Sequence, residues 1–181
     1  MLSTDKLPES VTTLLKSTRF IHLATSLNDI PHVSLMNYTY FHRDDQDYVI
    51  ISTPKKTTKY ENMVKNPNVS FLVHDWISVK NNSEGDEDLP SQRRNSLYEL
   101  LANFNKNEIS RVSVTINGKA EILDSDKDTD SFDFYKSLHL NNAKIDQIQA
   151  KNYIENADNA LILIHINGCK VTDTENNVEE F

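Results

Sequence analysis

Between Thr53 and Lys59 the chain reads TPKKTTK, which gathers the hydroxyls of Thr53, Thr57 and Thr58 with the ammonium groups of Lys55, Lys56 and Lys59. Hydroxyl and ammonium groups at this density suit a dianion such as phosphate. A helix starting near Thr57 or Thr58 would aim its unpaired backbone N–H groups the same way. Residues 48–52, YVIIS, are β-branched and apolar and read as a mostly buried strand feeding that turn. The helix is expected to run to about Lys65 and to stop at Asn66-Pro67, because proline restricts the residue before it and cannot continue the hydrogen-bond ladder. A strand over residues 69–74 then returns. The alternative for a basic turn of this kind is a solvated, capped connection that binds nothing.

The chain has 181 residues, enough for one substantial domain with its own core. We expect a single domain over residues 1–181 with a polar insertion at about 77–110 and a frayed acidic tail at 173–181. The formal net charge of -8 argues against a nucleic-acid partner, since affinity for a polyanion comes mainly from Lys and Arg neutralising phosphates. No apolar run approaches the length that crosses a bilayer, and residues 1–10 lack the apolar core of a secretion signal. The expectation is an intracellular, cytoplasmic protein, with the nucleus left open. A single cysteine, Cys169, cannot form an internal disulfide. Three glycines, at 85, 118 and 168, leave no room for a G-x-G-x-x-G or Walker-type loop.

Residues 8–17 have Val11, Leu14 and Leu15 at helical spacing, and Pro8 sits where a first turn tolerates it. Strands are expected at 20–26 and 32–41, with a turn at Asn28-Asp29 between them and a polar turn at 43–47 after them. Residues 81–96 hold almost no apolar side chain and read as a loop, followed by a helix carrying Leu97, Leu100, Leu101 and Phe104. Residues 111–123 alternate as a long strand, with Asn117-Gly118 marking a bend or bulge. Residues 128–138 are expected to be helical with Phe132, Tyr135 and Leu138 on one face, and residues 145–156 form a further helical candidate. Residues 160–166 are an apolar strand. Strands joined mostly by turns favour a small antiparallel barrel with peripheral helices over a parallel α/β sheet.

None of the six histidines has the spacing of a zinc site, and no metal is expected. His22, His74 and His165 lie in apolar runs and read as satisfied barrel histidines. Asp124, Asp126, Asp128 and Asp130 lack the glycine and glutamate of a calcium loop and read as caps and macrodipole partners of the following helix. Trp76, Tyr38, Tyr40 and Phe41 suit packing against a flat ring or, more commonly, a core. No residue stands out as a catalytic acid, base or nucleophile.

Three segments taken together, residues 20–41 (FIHLATSLNDIPHVSLMNYTYF), 49–76 (VIISTPKKTTKYENMVKNPNVSFLVHDW) and 117–123 (NGKAEIL), resemble the FMN-binding split-barrel proteins related to pyridoxamine 5'-phosphate oxidase, and in the same order. The resemblance implies a six-stranded antiparallel Greek-key split β-barrel that forms a homodimer, with FMN as a small-molecule ligand in the interface cleft. It places Thr53 near the cofactor, with Ser52 where relatives have an aromatic residue. It matches Thr57-Thr58-Lys59 to a Ser-Arg-Lys turn, with Lys55 or Lys56 available to compensate for the lost arginine. Residues 34–37, from Ser34 to Asn37, would line the ring. His32 and Asn37 stand where relatives carry an arginine and a lysine, and Ser113 stands for a glutamine. The arginine-rich C-terminal signature of true pyridoxamine phosphate oxidases has no counterpart here. The resemblance therefore implies an FMN-binding oxidoreductase that does not make pyridoxal phosphate. The alternatives are a non-catalytic split-barrel binding protein that has lost its flavin, or a cleft that takes a deazaflavin or haem.

Overall fold

The computed structural model describes residues 7–75, 112–142, 156 and 158–181. The expected insertion at 77–110, its helix, Trp76 and the helical candidate beginning at Ile145 lie outside the described residues. The order of elements is α1 (Glu9–Ser17), β1 (Phe20–Leu27), β2 (Ile30–Asn37), β3 (Thr39–Arg43), β4 (Gln46–Pro54), α2 (Thr58–Lys65), β5 (Asn68–His74), β6 (Ser113–Ile122), α3 (Thr129–Asn142), β7 (Asn159–Thr172) and β8 (Val178–Glu180). No helix among the described residues is long and apolar enough to cross a membrane.

All strands join one antiparallel sheet in the order β2-β1-β5-β6-β7-β4-β3, with β8 added to β7. The sheet curls until β2 comes against β4. Strand alternation then divides each strand between an enclosed face and an outward face. Ile21, Leu23, Val49, Ile116, Ile162 and Ile164 fill the enclosed face, and α1 adds Val11, Leu14 and Leu15 to the same core. Both tight hairpins use left-handed residues that Asn and Asp tolerate: Asn28 and Asp29 (φ 51° and 62°) and Asp44 and Asp45 (φ 52° and 60°). The register of β6 against β7 slips at Asn117/Gly118, as the sequence led us to expect. A Cβ on Gly118 would stand 2.7 Å from the His165 carbonyl oxygen, so this bulge needs glycine.

Three features differ from the sequence reading. The strand expected over 32–41 breaks at Tyr38, whose buried hydroxyl donates to the Leu15 carbonyl (2.8 Å) and meets Thr18 Oγ1 (2.6 Å). That tie to α1 separates β2 from β3 and, with β8, brings the described sheet to eight strands instead of six. The acidic tail, expected to fray, forms β8 on the edge that β7 leaves free beyond its pairing with β4, and Phe181 exchanges backbone hydrogen bonds with Cys169. Finally, of the strand histidines expected to be satisfied, all on the outward face, His165 meets Glu121 (2.7 Å), but His74 Nδ1 is buried with no hydrogen-bond partner among the described residues.

On the outward face, α3 packs Phe132, Tyr135 and Leu138 over Ile50, Leu161 and Leu163. Asp128 accepts a hydrogen bond from the Ser131 amide, the expected cap, and the Ser131 side chain together with that amide lowers its pKa. The other end of α3 is pinned by His139, which is only 5 % exposed. Asn142 donates to Thr39 Oγ1 (3.2 Å), so the Thr39 hydroxyl is free to donate to His139 Nδ1 (2.9 Å). A neutral imidazole accepts that bond and a protonated one cannot.

Burial accordingly lowers the His139 pKa to about 4. The unfolded chain binds this proton near pH ~6.5 and the folded chain does not, so the stability from His139 is complete above that value and is lost as pH falls toward about 4. The loss amounts to about 3 kcal/mol. Denaturant unfolding at neutral and mildly acid pH should show this decline in the wild type and a much flatter profile in His139→Gln; equal profiles would place the acid sensitivity elsewhere.

Candidate functional site

The turn from β4 into α2 has the outline expected from its sequence, but its hydroxyls are used differently. β4 ends with Ser52 and Thr53 buried, and Thr53 is fully enclosed. Ser52 lies opposite Leu161 and Thr53 opposite Ala160, which puts the two side chains on opposite faces of the strand. Thr57 is the N-cap residue of α2, yet its hydroxyl donates back to the Pro54 carbonyl (2.9 Å) and sits 3.2 Å from Thr53 Oγ1. The Thr57 side chain therefore makes no capping hydrogen bond to the helix. The first-turn amides therefore keep the donor capacity that a cap would have used. Lys55 anchors the turn through its amide, which donates to the Asp158 carbonyl (2.9 Å), while Lys56 and Thr58 are exposed.

Lys59 sits in the first turn of α2 and is half-buried. Burial lowers its pKa, and among the described residues no carboxylate pairs with it. A partly desolvated ammonium beside uncapped amides is a donor set suited to an anion, whereas the hydroxyls of Thr57 and Thr53 are already engaged, with the Pro54 carbonyl and with each other.

The position of α2 is set by two asparagines. Asn62 is buried and donates to Thr25 Oγ1 on β1 (3.1 Å), and Asn66 donates to the Ser26 carbonyl (3.0 Å). Asn66 also accepts from the Asn68 amide, so the Asn-Pro stop serves as a hinge post as well as a terminator. Met63 completes the contact by entering the core.

β2 adds two further polar atoms. His32 and Ser34 face inward opposite Thr25 and Leu23, and among the described residues His32 Nδ1 and Ser34 Oγ are buried with no hydrogen-bond partner, as is His74 Nδ1 on the outward face of β5. Each such atom costs about 1 to 3 kcal/mol if nothing satisfies it. The uncapped, cationic start of α2 fits a polar, anionic group such as a flavin phosphate. Among the described residues no cluster of acids, histidines and cysteine could hold a metal ion.

The residues named from sequence thus divide into two sets. Thr53, Thr57, Thr58 and Lys59 come together, with Lys56 at the rim and Ser52 turned to the other face. Ser34 faces inward, whereas Asn37, opposite Phe20, faces outward, so the two cannot line one surface of a ring from a single strand. Ser113 is also outward, opposite His74. The outward face is unusual in its own right: Phe20, Val33 and Leu35 are 52 %, 63 % and 60 % exposed. Sequence reasoning missed the inward, unpartnered state of His32 and the Thr25–Asn62 bond. The signal was available in the alternation of His32, Ser34 and Met36 against Thr25, Leu23 and Ile21.

Removing the Asn62 side chain would leave Thr25 without its donor and unseat α2. We expect Asn62→Ala to lower stability by about 2 kcal/mol, read as a reduced denaturant midpoint at constant slope. A midpoint equal to that of the wild type would show that this bond does not hold the helix.

Residues 7–172 match the family model described as pyridoxamine 5'-phosphate oxidase. A Schizosaccharomyces pombe protein named as a pyridoxamine 5'-phosphate oxidase homolog is 36 % identical over 186 aligned residues, covering 99 % of this chain and 92 % of its own. A heme binding protein from Mycobacterium smegmatis shares the fold, with a TM-score of 0.59 at 14 % identity, covering 97 % of this chain and 58 % of its own. So does an FAD-binding protein from Mesorhizobium loti, with a TM-score of 0.51 at 18 % identity and coverages of 91 % and 94 %. With the curled antiparallel sheet, the turn before α2 and this match along nearly its whole length, the chain belongs to the pyridoxamine 5'-phosphate oxidase family.

Proposed function

We propose that this protein is an FMN-dependent oxidoreductase whose cofactor lies in a cleft between two copies of the chain. The observation that carries the reading is the donor set around Lys59: a half-buried ammonium without a carboxylate partner among the described residues, beside an uncapped helix start. Lys59 and the first-turn amides would take the phosphate, and Thr57 and Thr53 would reach phosphate or ribityl oxygens only by giving up their bonds to Pro54 and to each other. When bound, the flavin supplies the electron transfer. The chain's own part is to neutralise the phosphate, orient the cofactor and keep water from it.

The exposed apolar face of β1 and β2 supports the dimer. Phe20, Val33 and Leu35 leave a contiguous patch that a monomer has little reason to expose, and a closed two-fold dimer buries it on both partners at once. Asn37 and Ser113 lie on that same outward face, which gives them a place at an interface cleft. We read the substrate as one without a phosphate of its own, since residues 112–181 hold no arginine to grip one and no Lys or Arg follows Lys170.

The test is titration of FMN followed by quenching of its fluorescence. Lys59→Ala should weaken binding about tenfold or more, the scale of one charge-assisted hydrogen bond. Leu35→Asp, measured by sedimentation and the same titration, should give monomers and lose FMN together. Unchanged affinity in Lys59→Ala would move the phosphate elsewhere, and a wild type that binds no flavin would favour the reading as a binding protein without cofactor.

A further inference from the structure

β7 outruns the strand beside it. Its edge toward β4 is paired from Asn159 to His165, and the Ile166 carbonyl then accepts a hydrogen bond from Gln46 Nε2 (2.8 Å). From Cys169 onward, among the described residues, the tail alone covers that edge. Phe181 and Cys169 each donate an amide to the other's carbonyl (2.9 and 3.0 Å), and Lys170, Val171 and Thr172 pair with Glu180, Glu179 and Val178. The opposite edge of the same residues is taken by β6.

The tail is held there by more than the ladder. The Asp173 carboxylate accepts from the amides of Glu175 (2.8 Å) and Asn177 (2.9 Å) and from Asn177 Nδ2 (2.8 Å), and Asn176 takes a left-handed φ of 62° to close the turn. Lys170 Nζ meets Glu180 Oε1 at 2.6 Å. Gly168 makes room for the end of the tail: a Cβ on it would stand 2.9 Å from the Phe181 carbonyl oxygen. The outer edge of β8 is short and charged, VEE with every residue exposed, a composition that keeps an edge from recruiting a further strand.

We propose that β8 is an edge guard, occupying the backbone of β7 from Cys169 to Thr172 so that it does not pair with the same edge of a second copy. With the tail away, this stretch holds out unpaired N–H and C=O groups, and a two-fold-related copy offers the matching antiparallel edge. Its side chains would not oppose that pairing, because Cys169 is buried, Val171 packs against the core, and Lys170 is the single charge among them. While β8 is in place, Glu179 and Glu180 face any second strand with like charges of its own kind. The contact is separate from the β1–β2 face, since β7 lies between β6 and β4 in the sheet, and it does not depend on the flavin reading.

The test uses Gly168→Val in the full chain, which keeps the tail but denies Phe181 its approach, and a second variant that ends at Thr172. Circular dichroism identifies the variants whose sheet is intact. In those, sedimentation velocity over a wide range of concentration should show association beyond the wild-type state, rising with concentration. A maleimide should label Cys169 at least about tenfold faster in dilute variant than in wild type, the sign that the tail has left a thiol that is otherwise buried and inert. Leu35→Asp, which disrupts the β1–β2 face, should leave the added association unchanged. Added association that vanishes with Leu35→Asp overturns the assignment to β7. Folded variants with a reactive Cys169 that sediment as the wild type does at every concentration overturn the guard itself.

Discussion

The hydrogen bond from Asn62 to the Thr25 hydroxyl is the contact on which the arrangement at this end of the barrel depends. It is buried on both sides, so breaking it leaves a polar atom without water to replace the partner. It docks α2 on β1, and with Asn66 on Ser26 it fixes where the helix begins as well as where it ends. The uncapped first turn, the half-buried Lys59 and the Thr53–Thr57 contact keep their places only while that docking holds. A loop of the same composition without the dock would be a solvated basic turn.

The barrel imposes the other constraint, which is parity. One face of every strand belongs to the core, and a polar residue that falls on that face must find a partner or go without. Asp47 finds its partners in the Tyr40 hydroxyl (2.6 Å) and His42 Nδ1 (3.0 Å), buried Tyr38 between β2 and β3 finds its own in α1, and Thr39, on the outward face opposite Ile50, finds His139 of α3. The Asp47 carboxylate in turn raises the Tyr40 pKa, adding to a larger effect of burial. His32 and Ser34 do not find partners, and they are the inward polar residues beside α2. The same parity leaves Phe20, Val33 and Leu35 outward with nothing over them. Two of the three unsatisfied atoms, and the uncovered surface, lie on or beside β2; the third, His74 Nδ1, lies on β5.

Local chemistry made much of this readable in advance. Asn28-Asp29 marked a hairpin because both residues tolerate positive φ, Asn66-Pro67 marked the end of α2, and Asn117-Gly118 marked a bulge whose glycine is required by the approach of β7. The membership of Thr53, Thr57, Thr58 and Lys59 in one cluster followed from their spacing. What stayed hidden depends on contacts far apart in the chain. The break at Tyr38 needs α1, the burial of His139 needs β3, and the pairing of β8 needs the free edge that β7 gains by outrunning β4. Ser34 and Asn37 looked like one group because they are close in sequence; an odd spacing on a strand puts them on opposite faces.

The most direct measurement is the visible absorption of freshly purified protein, recorded before and after excess FMN is added and removed by desalting. The bands of oxidised flavin, retained through desalting by the wild type and lost by Lys59→Ala, are the predicted result. A colourless wild type that retains no FMN would contradict the assignment of this turn as a flavin phosphate site.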